Sequence, residues 1–224
     1  MHKTTHKKTD MDLPTPSLAH LSAADFKQVY EPAEDTFLFL DALERDQEDL
    51  RSMEAILSLE IGSGSGTVLS FLGRILGANS GVFLATDINS FATNVTQRTG
   101  MQNGVFIDVI NTSLVQGLDA RLTGNVDVLL FNPPYVPTES DEVGVRDISA
   151  AWAGGLNGRE VLDLLLPVVG KLLSAQGVFY LVVVKENRPD EICDILLKQG
   201  LIATTVLERR SGRERLSILR FNKS

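Results

Sequence analysis

The sequence predicts an α/β protein built on a doubly wound, mostly parallel sheet of seven strands that ends in an antiparallel hairpin. Three observations predict it. Short apolar runs alternate along the chain with segments of helical period, which is the pattern of a sheet covered by helices on both faces. The first run breaks directly into Gly62-Ser63-Gly64-Ser65-Gly66, a glycine turn between a strand and the next helix. The last two runs flank only the polar stretch 208–214, so they read as a hairpin.

Each element follows in order. Residues 1–22 are polar and broken by proline, and Lys3, Lys7 and Lys8 lack the apolar core of a signal peptide, so they read as a loosely ordered tail before a single domain, 23–224. From Glu34 or Asp35, a helix carries Phe37, Leu38, Leu40, Leu43 and Leu50 up to the charged run 45–51. Strands are expected at 55–61, 82–86 (ending on Asp87), 105–110 and 126–131, with a helix at 67–76 after the glycine turn. A helix at 160–173 despite Pro167, a buried strand at 178–184, a helix at 188–199 and the strands 201–207 and 215–221 complete the pattern.

Composition narrows the function. Lys and Arg total 21 against 29 Asp and Glu, a formal net charge of -8, which argues against unaided grip on nucleic acid. No apolar stretch reaches the roughly 20 residues that span a bilayer, so no membrane partner is expected. Cys193 is the only cysteine, which excludes an internal disulfide and a cysteine zinc cage and implies the cytosol, with the nucleus as a second compartment. His2, His6 and His20 all precede the patterned region, so neither a serine-histidine hydrolase nor a histidine metal site is expected.

In such a sheet ligands bind beyond the carboxyl ends of the strands, where Gly62, Gly64 and Gly66 sit. The sixth position of the dinucleotide fingerprint is Thr67, so the turn suits a cofactor without a pyrophosphate better than NAD. Asp87 closes the next strand, where a carboxylate can accept from both hydroxyls of a ribose. Glu60, just before the turn, either partners the N-terminus of the following helix or orients the far end of the cofactor. Asp35 and Thr36 carry the same ambiguity between helix capping and a charge set near a cationic ligand.

The reacting end is read at Asn132-Pro133-Pro134-Tyr135, directly after the fourth strand. Two prolines fix the backbone, so the Asn132 amide and the Pro133 carbonyl hold a set direction. A neutral amide nitrogen is a poor nucleophile because its lone pair is delocalised. Two acceptors gripping its N–H groups localise that pair, and the face of Tyr135 is expected to support the planar target.

These residues resemble those of the HemK-type N5-glutamine methyltransferases. The resemblance runs from Tyr30-Glu31-Pro32-Ala33-Glu34-Asp35-Thr36 through Glu60-Ile61-Gly62, Thr86-Asp87-Ile88-Asn89 and Asn132 to Val136, then Gly154-Gly155-Leu156-Asn157-Gly158-Arg159-Glu160. It implies a class I S-adenosylmethionine-dependent methyltransferase, and the opening motif is similar to the eukaryotic branch that methylates the Gly-Gly-Gln glutamine of the class I translation release factor. It further implies cofactor contacts at Asp35, Thr36, Glu60, Gly62, Gly64, Asp87 and Asn132, with Asn132 also gripping the substrate amide. Relatives contact the adenine amine through an aspartate after strand three; here Asn111-Thr112-Ser113-Leu114 stands there, and Ser113 with Leu114 is the nearest match. The branch also implies a small zinc-binding activator subunit, and the apolar strand 105–110, an edge in this fold, suits pairing with it. An adenine-N6 DNA methyltransferase or a lysine methyltransferase is the alternative, and a catalytically dead nucleotide-binding scaffold the rival of another class. Acceptor specificity is assigned to the loop 138–148.

Overall fold

The computed structural model of the protein describes residues 13–140, 143, 151–212 and 214–223. Their elements are α1 (Glu34–Arg45), α2 (Gln47–Ser52), β1 (Leu57–Ile61), α3 (Thr67–Leu76), β2 (Val82–Asp87), α4 (Ser90–Gln102), β3 (Ile107–Asn111), α5 (Asp119–Leu122), β4 (Val126–Phe131), α6 (Glu160–Leu165), α7 (Val169–Leu172), β5 (Leu173–Val184), α8 (Pro189–Leu197), β6 (Leu201–Ser211) and β7 (Glu214–Lys223). The seven strands form one sheet in the order β3-β2-β1-β4-β5-β7-β6. Neighbours among β1 to β5 are parallel, and β7 runs antiparallel to both β5 and β6, as the sequence predicts. The strand order reverses between β1 and β4. That switch point leaves a crevice at their carboxyl ends, where the glycine turn and the Asn132 loop begin.

Apolar runs form the central strands because both faces of the sheet are covered. In β4, Val128 and Leu130 enter one core while Leu129 and Phe131 enter the other. In β5, Tyr180, Val182 and Val184 alternate in the same way with Phe179, Leu181 and Val183. Phe179 stacks on Phe221 of β7 with ring centroids 5.7 Å apart, locking the hairpin to the parallel strands.

Several boundaries depart from the sequence reading for local reasons. The first helix breaks at Asp46, whose carboxylate accepts from Tyr180 Oη (2.8 Å) and Arg220 Nη1 (2.9 Å) on the sheet. The helix expected at 160–173 stops at Leu165 and resumes at Val169, because Pro167 has no N–H to donate and its ring excludes the helical carbonyl. Strand three starts at Ile107 because the Val105 N–H is spent on Gly100 O (2.9 Å), closing the end of α4. The polar stretch 208–214 is not a long turn: the ladder continues to Ser211 and Glu214 on an exposed edge where charged side chains incur no burial cost, and Arg209 pairs with Asp41 at 2.6 Å.

The stretch 1–22, expected as a loosely ordered tail, is described from Leu13 onward. Residues 1–12 lie outside the described residues, but 13–22 form a strap across α1, α3 and α4. Leu13 N donates to Glu44 Oε1 (2.8 Å), Arg74 to Pro14 O (2.8 Å), Ser17 N to Asn103 Oδ1 (2.7 Å) and Arg98 to His20 O (3.0 Å). Most of the order is carried by side chains elsewhere bonding to the strap's backbone, which its own composition does not record.

Candidate active site

At the head of the crevice the turn after β1 is held by the end of β2: the Gly62 and Ser63 N–H groups donate to Thr86 O at 2.8 and 3.2 Å. Gly66, at φ 75°, is sterically required, because a Cβ there would lie 2.8 Å from Thr96 Cα. Gly64 differs, since its missing side chain would point into open space, leaving backbone for a ligand to approach. Glu60 is buried at the end of β1, and its Oε2 accepts from Leu69 N (3.1 Å) in the first turn of α3. Both readings of Glu60 therefore hold in geometry: it meets the helix N-terminus and it lines the cavity. Burial pushes its carboxyl well above the usual range, the Leu69 bond opposes that, and the charge of Asp87 adds to it.

Asp87 lines the same cavity with both oxygens engaged, Oδ2 by Gly64 N and Oδ1 by Asn89 N, each at 2.9 Å. Burial raises its pKa against the pull of the Gly64, Asn89 and Ile88 N–H groups. Ser113 and Leu114 form the far wall, where Leu114 takes a left-handed backbone, φ 50°, after Thr112 N has bonded to Asp87 O (3.0 Å). This end thus brings together Glu60, Gly62, Gly64, Asp87, Ser113 and Leu114.

The other end is organised by one carboxylate. Asp35 is buried in the first turn of α1, where the N-cap residue Ala33 offers no side-chain hydrogen bond; Asp35 itself accepts an N–H of that turn and also lines the cavity. Its Oδ1 accepts from Thr36 N (2.8 Å) and Tyr30 Oη (3.3 Å), and its Oδ2 from Asn132 Nδ2 (2.8 Å) and Tyr135 Oη (3.3 Å). The bond to Asn132 fixes which way that amide faces, since the reverse orientation would set its oxygen against a carboxylate. Asn132 Oδ1 is buried without a hydrogen-bond partner among the described residues, in a side chain that lines the cavity. An orphaned acceptor of that kind costs stability unless a ligand donates to it.

Two expected residues fall elsewhere. Asn132 and Pro134 line the cavity, whereas Pro133 and Tyr135 do not. In extended backbone successive side chains alternate in direction, so 132 and 134 share one side and 133 and 135 the other. Tyr135 packs against the core, and its hydroxyl donates to Asp35 at the site. Val143 and Ala151 also line the cavity, while most of the loop 138–148 assigned to specificity lies outside the described residues. Sequence reasoning missed Gln28, Val29 and Asn89 as wall residues. Asn89 accepts from Phe91 N (2.9 Å) to cap α4 and donates to Gln28 O (2.8 Å), latching the segment before Tyr30 over the cavity. Its place before a helix was a readable capping signal.

A cavity at the switch point of this sheet, with three buried carboxylates, an open glycine turn and an oriented amide acceptor, defines a class I S-adenosylmethionine-dependent methyltransferase. The residues fit that cofactor: Gly64 leaves space for it, and Asp87 and Glu60 offer acceptors for a diol and a cation. A scan against protein-family models returns no match. Among curated proteins the chain is similar to Methyltransferase HEMK2 of Mus musculus, 50% identical over 212 residues that cover 95% of this chain and 98% of that one. It is also similar to the eRF1 methyltransferase catalytic subunit mtq2 of Schizosaccharomyces pombe, 45% identical over 222 residues covering 93% and 95% of the two chains. Among solved structures it superposes on the E. cuniculi Mtq2-Trm112 complex, which methylates the eRF1 termination factor, with a TM-score of 0.65, 28% identity and coverage of 88% of this chain and 99% of that chain. The chain belongs to the eukaryotic HemK-type methyltransferases, the family of HEMK2 and Mtq2, as a catalytic subunit.

Proposed function

We propose that the protein methylates the side-chain amide nitrogen of a glutamine, the one in the Gly-Gly-Gln tripeptide of the eukaryotic class I release factor. The observation that carries this reading is Asn132, whose Nδ2 is held by Asp35 while its Oδ1 is left as an unpaired acceptor on the cavity wall. When bound, S-adenosylmethionine supplies an electrophilic methyl group on a sulfonium. Glu60 takes its methionine end, Asp87 the ribose hydroxyls, Ser113 and Leu114 the adenine, and Gly62 and Gly64 the backbone approach. Asp35 and Thr36 border the reacting end.

Asn132 Oδ1 accepts an N–H of the target amide, draws its lone pair out of conjugation and holds the nitrogen in attacking position. No base is needed before transfer, consistent with a described site that contains no histidine. The Pro133 carbonyl is the second acceptor in this reading, from a residue next to the cavity-lining Asn132 and Pro134. The adenine and lysine alternatives find no support, since relatives whose names give an acceptor give a release factor or a glutamine.

We further propose a small zinc-binding partner paired along strand three. Support comes from the position of β3 at the sheet edge, from Phe106, 68% exposed beside it, and from the solved Mtq2-Trm112 complex. A monodisperse and fully active lone chain would remove that partner. We place the protein in the cytoplasm, where its substrate works, with the nucleus as a second site.

The test is to incubate the chain, with and without the partner, with labelled cofactor, purified release factor and duplex DNA, and to locate the label by mass spectrometry. Label on the Gly-Gly-Gln glutamine is expected; label on DNA or a lysine, with none on glutamine, would contradict the reading.

A further inference from the structure

We propose that Asn187 is a positioning residue for methyl transfer, acting on the Asn132–Val136 loop from outside the cavity; this deepens the function proposed above and rests on it. Asn187 ends the 3-10 turn Lys185–Asn187 that follows β5, and it is only 1% exposed. It does not line the cavity, so it touches neither cofactor nor target.

Its side chain joins three segments. Oδ1 accepts from Val184 N (2.8 Å) at the end of β5, while Nδ2 donates toward Tyr135 O (3.2 Å), Asn157 O (3.1 Å) and Gly158 O (3.1 Å). Two amide protons are thus shared among three carbonyls. The neighbouring chain is shaped to allow this. A Cβ on Gly158 would sit 1.9 Å from Tyr135 O, and one on Gly154 would sit 2.7 Å from Pro134 O. The main chain closes the remaining side, with Val136 N on Trp152 O (3.1 Å) and Gly154 N on Val136 O (2.9 Å).

Tyr135 is therefore tied at both ends, its carbonyl by Asn187 and its hydroxyl by Asp35. Asp35 in turn holds the Asn132 amide. The route from Asn187 to the reacting acceptor runs through two hydrogen bonds on one tyrosine and one on the aspartate. The prolines stiffen the loop; Asn187 sets where the stiff loop stands.

Asn187→Asp keeps the size of the side chain and the bond from Val184 but replaces the donor with an oxygen facing three carbonyls, and Asn187→Leu removes donor and charge together. In the complex with its partner subunit, each variant is expected to lower kcat toward the release factor by about 10- to 100-fold, with cofactor Kd by calorimetry unchanged within about twofold. Combined with Asp35→Asn, the losses should be less than multiplicative, because both ties act through Tyr135. Should Asn187→Leu fail to fold, Asn187→Asp carries the test. Parallel loss of rate, cofactor affinity and Tm, failure of both variants to fold, or multiplicative losses would assign the amide to stability alone and overturn the proposal. Wild-type complex that leaves the glutamine unmethylated would fail the proposed function instead; active wild type with equally active Asn187→Asp fails only this inference.

Discussion

The two ends of the cavity hold their carboxylates by different means. Around Glu60 and Asp87 the donors are backbone N–H groups, with Leu69 nine residues from Glu60, and Asn89 two and Gly64 23 residues from Asp87. Around Asp35 the donors include the side chains of Tyr30, Thr36, Asn132 and Tyr135, and the two from the substrate loop come from 97 and 100 residues away. The first end is buried acid waiting for a cation, with both carboxyls shifted upward by burial. The second is a carboxylate supplied with donors, whose work is to point another side chain. Affinity should therefore reside at the first end and rate at the second.

The sharpest break of that contrast is Asn132→Ala. It removes the acceptor for the target amide, so transfer should fall by about 10³-fold while cofactor Kd stays nearly constant, read by single-turnover methylation beside calorimetry. A smaller loss, about 10²-fold in kcat, is expected of Asp35→Asn, because a neutral amide at 35 no longer dictates which way Asn132 faces. A rate unchanged in that variant would show that the Asn132 loop orients itself.

At the cofactor end the expected effects are smaller and have a pH signature. Glu60 has a folded pKa raised above its ordinary value of 4.5, so its contribution to stability is full below that value and is lost as pH rises through the folded pKa. Glu60→Gln removes the ionisation. Without cofactor, the variant should melt higher than wild type by a margin that grows as pH rises from about 4.5, while it binds cofactor about tenfold more weakly at neutral pH. A Tm difference independent of pH would contradict the burial of an ionisable group there. Smallest of all, Ser113→Asp should tighten cofactor binding by about fivefold, on the order of 1 kcal/mol, by adding charge to an adenine contact. An unchanged Kd in calorimetry would remove Ser113 from that wall.

The same contrast explains what the sequence disclosed. Glu60 to Gly66 and Asp87 lie in short contiguous motifs at the ends of adjacent parallel strands, and their bonds are to the backbone of those same motifs, so their place at one end of the sheet was readable from letters and positions. The hub on Asp35 was not legible, because nothing local tells Asp35 from a helix-capping residue; its partners Asn132 and Tyr135 become neighbours only when α1 crosses the end of β4. The direction of Tyr135 was hidden for a related reason. The motif records that an aromatic follows two prolines, whereas the side it faces depends on the register of an extended loop against the core. Asn187 carried no signal at all, since its role lies in the carbonyls it receives.

The most direct test of the division between the ends uses one set of preparations: cofactor Kd and the single-turnover rate at saturating cofactor for wild type, Glu60→Gln and Asn132→Ala, each in complex with the partner subunit. A crossed pattern is predicted, with Glu60→Gln losing affinity and keeping its rate, and Asn132→Ala keeping affinity and losing its rate. Equal losses of both quantities in both variants would contradict it.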